Sequence, residues 1–202
     1  MADRRVVGLR AVGLFSATVL LTVLLDQLSK AWALSALEPG AAPKPLLGSL
    51  LQLTLVLNPG GALSIGNSTT WVFTIVATVV VVVVVRLARR LRSRTWAAAL
   101  GLLLGGAVGN LADRLFRAPG FPSGHVVDFI DYHVFVGNVA DIAIVVAAVM
   151  IVLLTFFGVR LDGTRTVASE VSAPETDAAE TDGADAAEPG DDEARSDLTT
   201  SA

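Results

Sequence analysis

The sequence predicts an all-α membrane protein: four transmembrane helices, with a small β-rich region on the outer side between spans one and two. Three observations predict it. Apolar residues make up 53% of the 202 residues and charged residues only 17%, whereas a soluble domain carries about 25% charge. Four stretches are long and apolar enough to cross a bilayer, which takes about 20 residues of helix for roughly 30 Å of hydrocarbon. Basic residues gather at alternate ends of those stretches, as the positive-inside rule requires.

The spans run from about Ala11 to Leu34, Thr69 to Leu87, Thr95 to Phe116 and Val139 to Phe157. The second contains an unbroken valine run, Val79 to Val85. Valine favours strands in water, but an isolated segment in lipid must satisfy its own backbone, so helix wins. Arg4, Arg5 and Arg10 precede span one; Arg86, Arg89, Arg90, Arg92 and Arg94 fill the second connection; Arg160 and Arg165 follow span four. The other two connections hold only Lys44 and Arg117. Both termini and the second connection are therefore expected in the cytoplasm. Span one has the charge pattern of a cleavable leader, with Ala31-Trp32-Ala33 as a small-x-small site. Asp26 and Lys30 lie between the apolar run and that site, and argue for a retained span.

Residues 1–160 read as the membrane domain and 161–202 as a disordered acidic cytoplasmic tail. The segment 159–202 holds 12 of the 19 acids and three of the 15 bases, leaving seven acids and twelve bases for the body. The net charge of −4 thus describes a tail appended to a basic body. Such a tail has too little apolar surface to fold. In the first outer connection, Leu51 to Leu57 partly alternates, which suggests a short strand or hairpin ended by a turn at Asn58-Pro59-Gly60-Gly61.

Charges within spans are costly and tend to mark function. At 1.5 Å per residue, Lys30 and Arg114 each fall about 29 Å along their spans, near the outer end. Asn138 and Asp141 open span four at the same level. Topology therefore brings Asp26, Lys30, Asn110, Asp113, Arg114, Asn138 and Asp141 together. Each also has an ordinary structural role. Asp26 and Lys30, spaced i,i+4, can form an ion pair, and Asn110, Asp113 and Arg114 a clasp between helices. Asn138 can cap span four, with Asp141 in its first turn. Asp128 and Asp131 can be loop acids, and His125 and His133 surface residues. The glycines at 101, 105, 106 and 109 suit close helix packing. Taken together, five acids at one face suggest a carboxyl pair sharing a proton, able to activate water and protonate a leaving amine. With no Cys there is no thiol nucleophile or Cys-ligated metal.

The ordered blocks DQLSK (Asp26 to Lys30), NPGGALS (Asn58 to Ser64), GNLADR (Gly109 to Arg114), VVDFID (Val126 to Asp131) and NVAD (Asn138 to Asp141) resemble those of bacterial lipoprotein signal peptidase, signal peptidase II. The resemblance covers residues 10 to 158. It implies an aspartic endopeptidase of the bacterial plasma membrane that cleaves prolipoproteins just before a diacylglyceryl-modified cysteine. By position it makes Asp128 and Asp141 the catalytic pair, with Asp26, Lys30, Asn58, Asn110, Arg114 and Asn138 as supporting or substrate-binding residues. It implies no metal and no cofactor. The expected partners are lipid-modified precursors and membrane lipid, with no nucleic acid, acting on a monomer. Two positions depart from the pattern: Leu63 replaces an aromatic, and Gly137 replaces the Phe before Asn138, which suggests a looser start to span four. A transporter with an Asp26, Lys30 and Arg114 path, and a metal-dependent headgroup transferase using Asp128 and Asp131, are the alternatives.

Overall fold

A computed structural model of the chain describes residues 2–48, 50–60 and 70–165, all within one compact unit, Met1–Val167. Leu63, Ser64, Gly61 and the acidic segment beyond Arg165 lie outside the described residues. The elements in chain order are α1 (Ala2–Ala36), β1 (Lys44–Leu47), β2 (Leu51–Asn58), α2 (Thr70–Ala88), α3 (Arg94–Phe116), β3 (Val126–Asp131), β4 (Val136–Gly137) and α4 (Val139–Phe156).

All four helices are long and apolar enough to span a bilayer, as the sequence predicts. Their surfaces are inverted relative to a soluble bundle. Leu20, Leu24, Leu28, Val79, Val83, Val149 and Val152 are exposed, while the buried side chains include Asp26, Lys30, Asp113 and Arg114. Lipid tails are as apolar as leucine, so helix association here depends on close packing and on polar contacts. α3 is the central helix: half of its apolar window is buried, against 11% for α1 and α2 and 17% for α4. Its glycines allow this. A Cβ on Gly105 would stand 2.6 Å from Thr22 Cβ of α1, and one on Gly109 would stand 2.5 Å from an Asp26 carboxylate oxygen.

The sheet at the far ends of α1 and α3 is antiparallel throughout, in the order β1-β2-β3-β4. The β1–β2 hairpin is the strand structure expected after span one. Its other half, β3 and β4, comes from the connection between spans three and four, where the sequence reading had only loop acids. β3 is buried along Val126, Val127, Asp128 and Phe129. With both faces covered, it lacks the polar–apolar alternation that marks a half-exposed strand. Val127 and Phe129 pack with Leu55 against Ala33 and Leu37 of α1, and Trp32 meets Phe129 edge to face at 6.2 Å.

At the opposite end the chain turns back after α4. Val159 bridges Arg165, and Leu161 O accepts hydrogen bonds from Arg92 N and Ser93 N at 3.0 Å each. Trp96 Nε1 donates to Val159 O at 2.8 Å. Ser93 caps α3 by accepting from Trp96 N. These bonds fix the arginine-rich α2–α3 connection to the end of α4.

Candidate active site

Asp128 lies mid-strand on β3, and its position follows from the register. Val56 of β2 opposes Asp128, so Asn58, two residues on, shares its face. Asn58 Nδ2 donates to Asp128 Oδ2 at 2.7 Å. Asn138, just after β4, donates from Nδ2 to Asp128 Oδ1 at 2.6 Å. Burial pushes the Asp128 carboxyl up to about 6; the charge of Asp141 adds to this, and the bonds from Asn58 and Asn138 oppose it.

Asp141 arrives from the other side, in the first turn of α4. Asn138 and Asp141 form a reciprocal capping box: Asp141 N donates to Asn138 Oδ1 at 3.1 Å, and Asn138 N donates to Asp141 Oδ2 at 3.0 Å. Asn110 of α3 then donates from Nδ2 to Asp141 Oδ1 at 2.9 Å, while its Oδ1 accepts from Asn138 Nδ2 at 3.2 Å. Asn138 therefore grips Asp128 with its side chain and Asp141 with its backbone. The cap and the site are one arrangement, and the two roles that the sequence left open for Asn138 coincide. The capping box also leaves the start of α4 tightly held despite Gly137.

Beneath the pair lies a buried clasp. Lys30, fully buried, contacts Asp26 Oδ2 and Asp113 Oδ2 at 2.8 Å each and donates to Asn110 Oδ1 at 2.9 Å. Each carboxylate reaches on to the backbone beside one aspartate of the site. Asp26 Oδ1 accepts from Ala140 N at 3.0 Å, next to Asp141. Asp113 Oδ2 accepts from Val127 N at 3.3 Å, next to Asp128. Gln27 ties the clasp together, donating from Nε2 to Asp26 Oδ2, Gly109 O and Asp113 Oδ1. Arg117 Nε binds Asp113 Oδ1 at 2.6 Å. Gln27 and Arg117 were not picked out from the sequence; the only signal for Gln27 was its place beside Asp26 in DQLSK.

Arg114 is nine-tenths buried, with its guanidinium 5.3 Å from the centre of the Phe73 ring. Its charge is felt by Asp128, Asp113 and Asp141, yet Nη1 is the one buried side-chain polar atom without a hydrogen-bond partner among the described residues. No group of acids and histidines with metal-binding geometry occurs among those residues. Asp131 stands apart from the pair, its Oδ1 accepting from His133 N at 2.7 Å in the β3–β4 turn.

The fold and this arrangement define a four-helix integral membrane protein with a carboxylate–amide cluster buried at one end of its bundle. The description Signal peptidase (SPase) II fits residues 18–157, and the chain belongs to the signal peptidase II family, a family of peptidases. Proteins named lipoprotein signal peptidase from Rhodococcus jostii (strain RHA1) and Streptomyces coelicolor are 48% and 47% identical to it, over 69% and 81% of this chain and 71% and 80% of theirs. The one from Leifsonia xyli subsp. xyli is 43% identical, over 77% of this chain and 72% of its own. Two solved structures, described as a bacterial membrane enzyme obtained by the in meso method at 1.9 and 2.3 Å resolution, share the fold. Their TM-scores are 0.62 and 0.64 at 23% identity, over 71% and 79% of this chain and 92% and 94% of theirs.

Proposed function

We propose that the chain is an aspartic endopeptidase that removes signal peptides from diacylglyceryl-modified prolipoproteins, cutting just before the lipid-bearing cysteine. The observation that carries this reading is Asn138, which holds the Asp128 and Asp141 carboxyls from one residue. Two carboxyls so placed share a proton readily. The ionised member takes a proton from a water molecule as the water oxygen bonds to the scissile carbonyl carbon. The protonated member donates to the carbonyl oxygen. The tetrahedral diol then collapses: the C–N bond breaks, the proton taken from water passes to the leaving amine, and one diol hydroxyl returns its proton to the carboxylate that donated first. Burial favours the protonated form of Asp128, which suits it to the acid role. Arg114 Nη1, a buried donor beside the pair, suits a carbonyl or phosphate oxygen of the substrate. The arginines at the far end favour a cytoplasmic placement of both termini, with the site at the extracytoplasmic face.

The test is cleavage of a diacylglyceryl-modified prolipoprotein by purified protein in detergent with excess chelator. Cleavage should persist, and Asp128→Asn and Asp141→Asn should each lower it at least a thousandfold while folding as the native chain does. Full activity in either variant, or loss with chelator, overturns the assignment.

A further inference from the structure

At the end of the bundle away from the carboxyl pair, Leu9 and Val12 of α1, Arg89, Arg90 and Arg92 after α2, and Asp162 beyond α4 line a cavity of about 760 Å³. We propose that it is a binding site for an anionic phospholipid, with the phosphodiester headgroup held by the three arginines and an acyl chain lying along Leu9 and Val12. Four observations carry this.

First, the backbone that carries the cations is fixed. Leu91 is buried in the core with Ala11, Val84 and Leu100, so its neighbours Arg90 and Arg92 flank a fixed point and are exposed beside it. The two bonds from Arg92 N and Ser93 N to Leu161 O hold the backbone there. An ordered loop loses less freedom when it binds. Second, none of the three arginines forms an ion pair with a carboxylate of the described residues. Asp162 is the one acid in the lining, and it is turned toward its own loop, accepting from Thr164 N and Oγ1. The lining thus carries three positive charges against one negative. This net of two matches a headgroup with two phosphodiesters, and guanidinium groups bind phosphate oxygens in pairs. Third, one wall is apolar and open: Leu9 is 75% exposed and Val12 48%. A free inorganic anion gains nothing from such a wall, whereas a lipid tail does. Fourth, on the cytoplasmic placement proposed above for these arginine-rich helix ends, the cavity falls at the headgroup level, where basic pockets between helices bind anionic lipid.

The experiment uses the full chain in a neutral detergent, with added cardiolipin as the probe and phosphatidylcholine and inorganic phosphate as comparisons. Native mass spectrometry and thermal unfolding read the binding. Cardiolipin should give a saturable adduct and a raised melting temperature. Arg89→Gln/Arg90→Gln/Arg92→Gln should weaken the adduct at least tenfold, while Arg86→Gln/Arg94→Gln/Arg160→Gln, which removes equal charge outside the lining, should keep it. Equal loss in both variants means a diffuse charge effect and overturns the site. So does an equal shift from phosphatidylcholine or from inorganic phosphate. If the first variant fails to fold, photo-crosslinkable cardiolipin on the native chain decides: adducts on residues 8–12 and 89–92 support the site, and adducts elsewhere overturn it.

Discussion

Asp128 is where burial acts most directly on the proposed chemistry. Its carboxyl is pushed up to about 6 from the ordinary 3.8, first by desolvation and then by Asp141. The proposed acid is therefore protonated below that pH and lost as pH rises through it. Cleavage rate, measured against pH at substrate well below saturation, should decline on the alkaline side of about 6, approaching tenfold per pH unit; a flat profile to pH 9 would contradict this. The same shift bears on stability. A folded-state pKa above the unfolded value means that ionising Asp128 opposes folding. The penalty is absent below about pH 4 and complete above about 6, where it reaches about 3 kcal/mol. Asp128→Asn removes that penalty but loses about 1 kcal/mol of accepted hydrogen bond. The inactive variant should therefore melt higher than the native chain near pH 7, with the advantage gone at pH 4. Equal melting at both would show that the side chain is not desolvated.

Among the elements, α3 and its clasp with α1 organise the site, and here the reading from sequence reached part of the way. The spans were legible because twenty apolar residues have few alternatives. The Asp26–Lys30 pair was legible because i,i+4 spacing is local. That Lys30 also meets Asp113 of another helix was not, since helix rotation is fixed by packing that no spacing records. β3 was missed for a related reason: Val126, Val127 and Phe129 are covered on both faces, so VVDFID shows no alternation. Asp128 became a site residue through family resemblance rather than through its strand. The clasp itself is testable. Lys30→Met leaves the buried Asp26 without a cation and Asp113 with Arg117 alone, and should cost about 3–5 kcal/mol. Adding Asp26→Asn and Asp113→Asn should restore most of the folding stability. The rate should stay low, because the Ala140 and Val127 N–H groups then lose charged acceptors. Recovery of both would show that the clasp is only structural. Gly109→Val, which drives a side chain into Asp26, should weaken α1–α3 packing by about 1–3 kcal/mol, measured as a lower melting temperature in detergent.

Across the whole molecule, charge and hydropathy divide the chain between a bundle with an apolar exterior and an acidic segment whose composition could not specify a core. Deletion after Arg165 should leave cleavage in detergent within about twofold of the full chain. Deletion after Phe157 is different. It removes the partners of Trp96 Nε1, Arg92 N and Ser93 N, at about 1 kcal/mol each. The shorter chain should be less stable by about 3 kcal/mol and melt lower, with its carboxyl pair still complete. Comparing the melting curves of the two truncations checks this; equal stability would mean that the returning segment contributes nothing.

The capping of α4 by Asn138 has one more consequence, which concerns biosynthesis. Of the groups that surround the proposed water, Asp141 and the residue that grips both acids are contributed last, when the ribosome has already made the first three spans. If the pair acts as proposed, a half-translated copy holds Asp128 without its counterpart and should not cleave. On the proposed mechanism, entry of the final helix into the bilayer is the step that would complete the carboxyl pair.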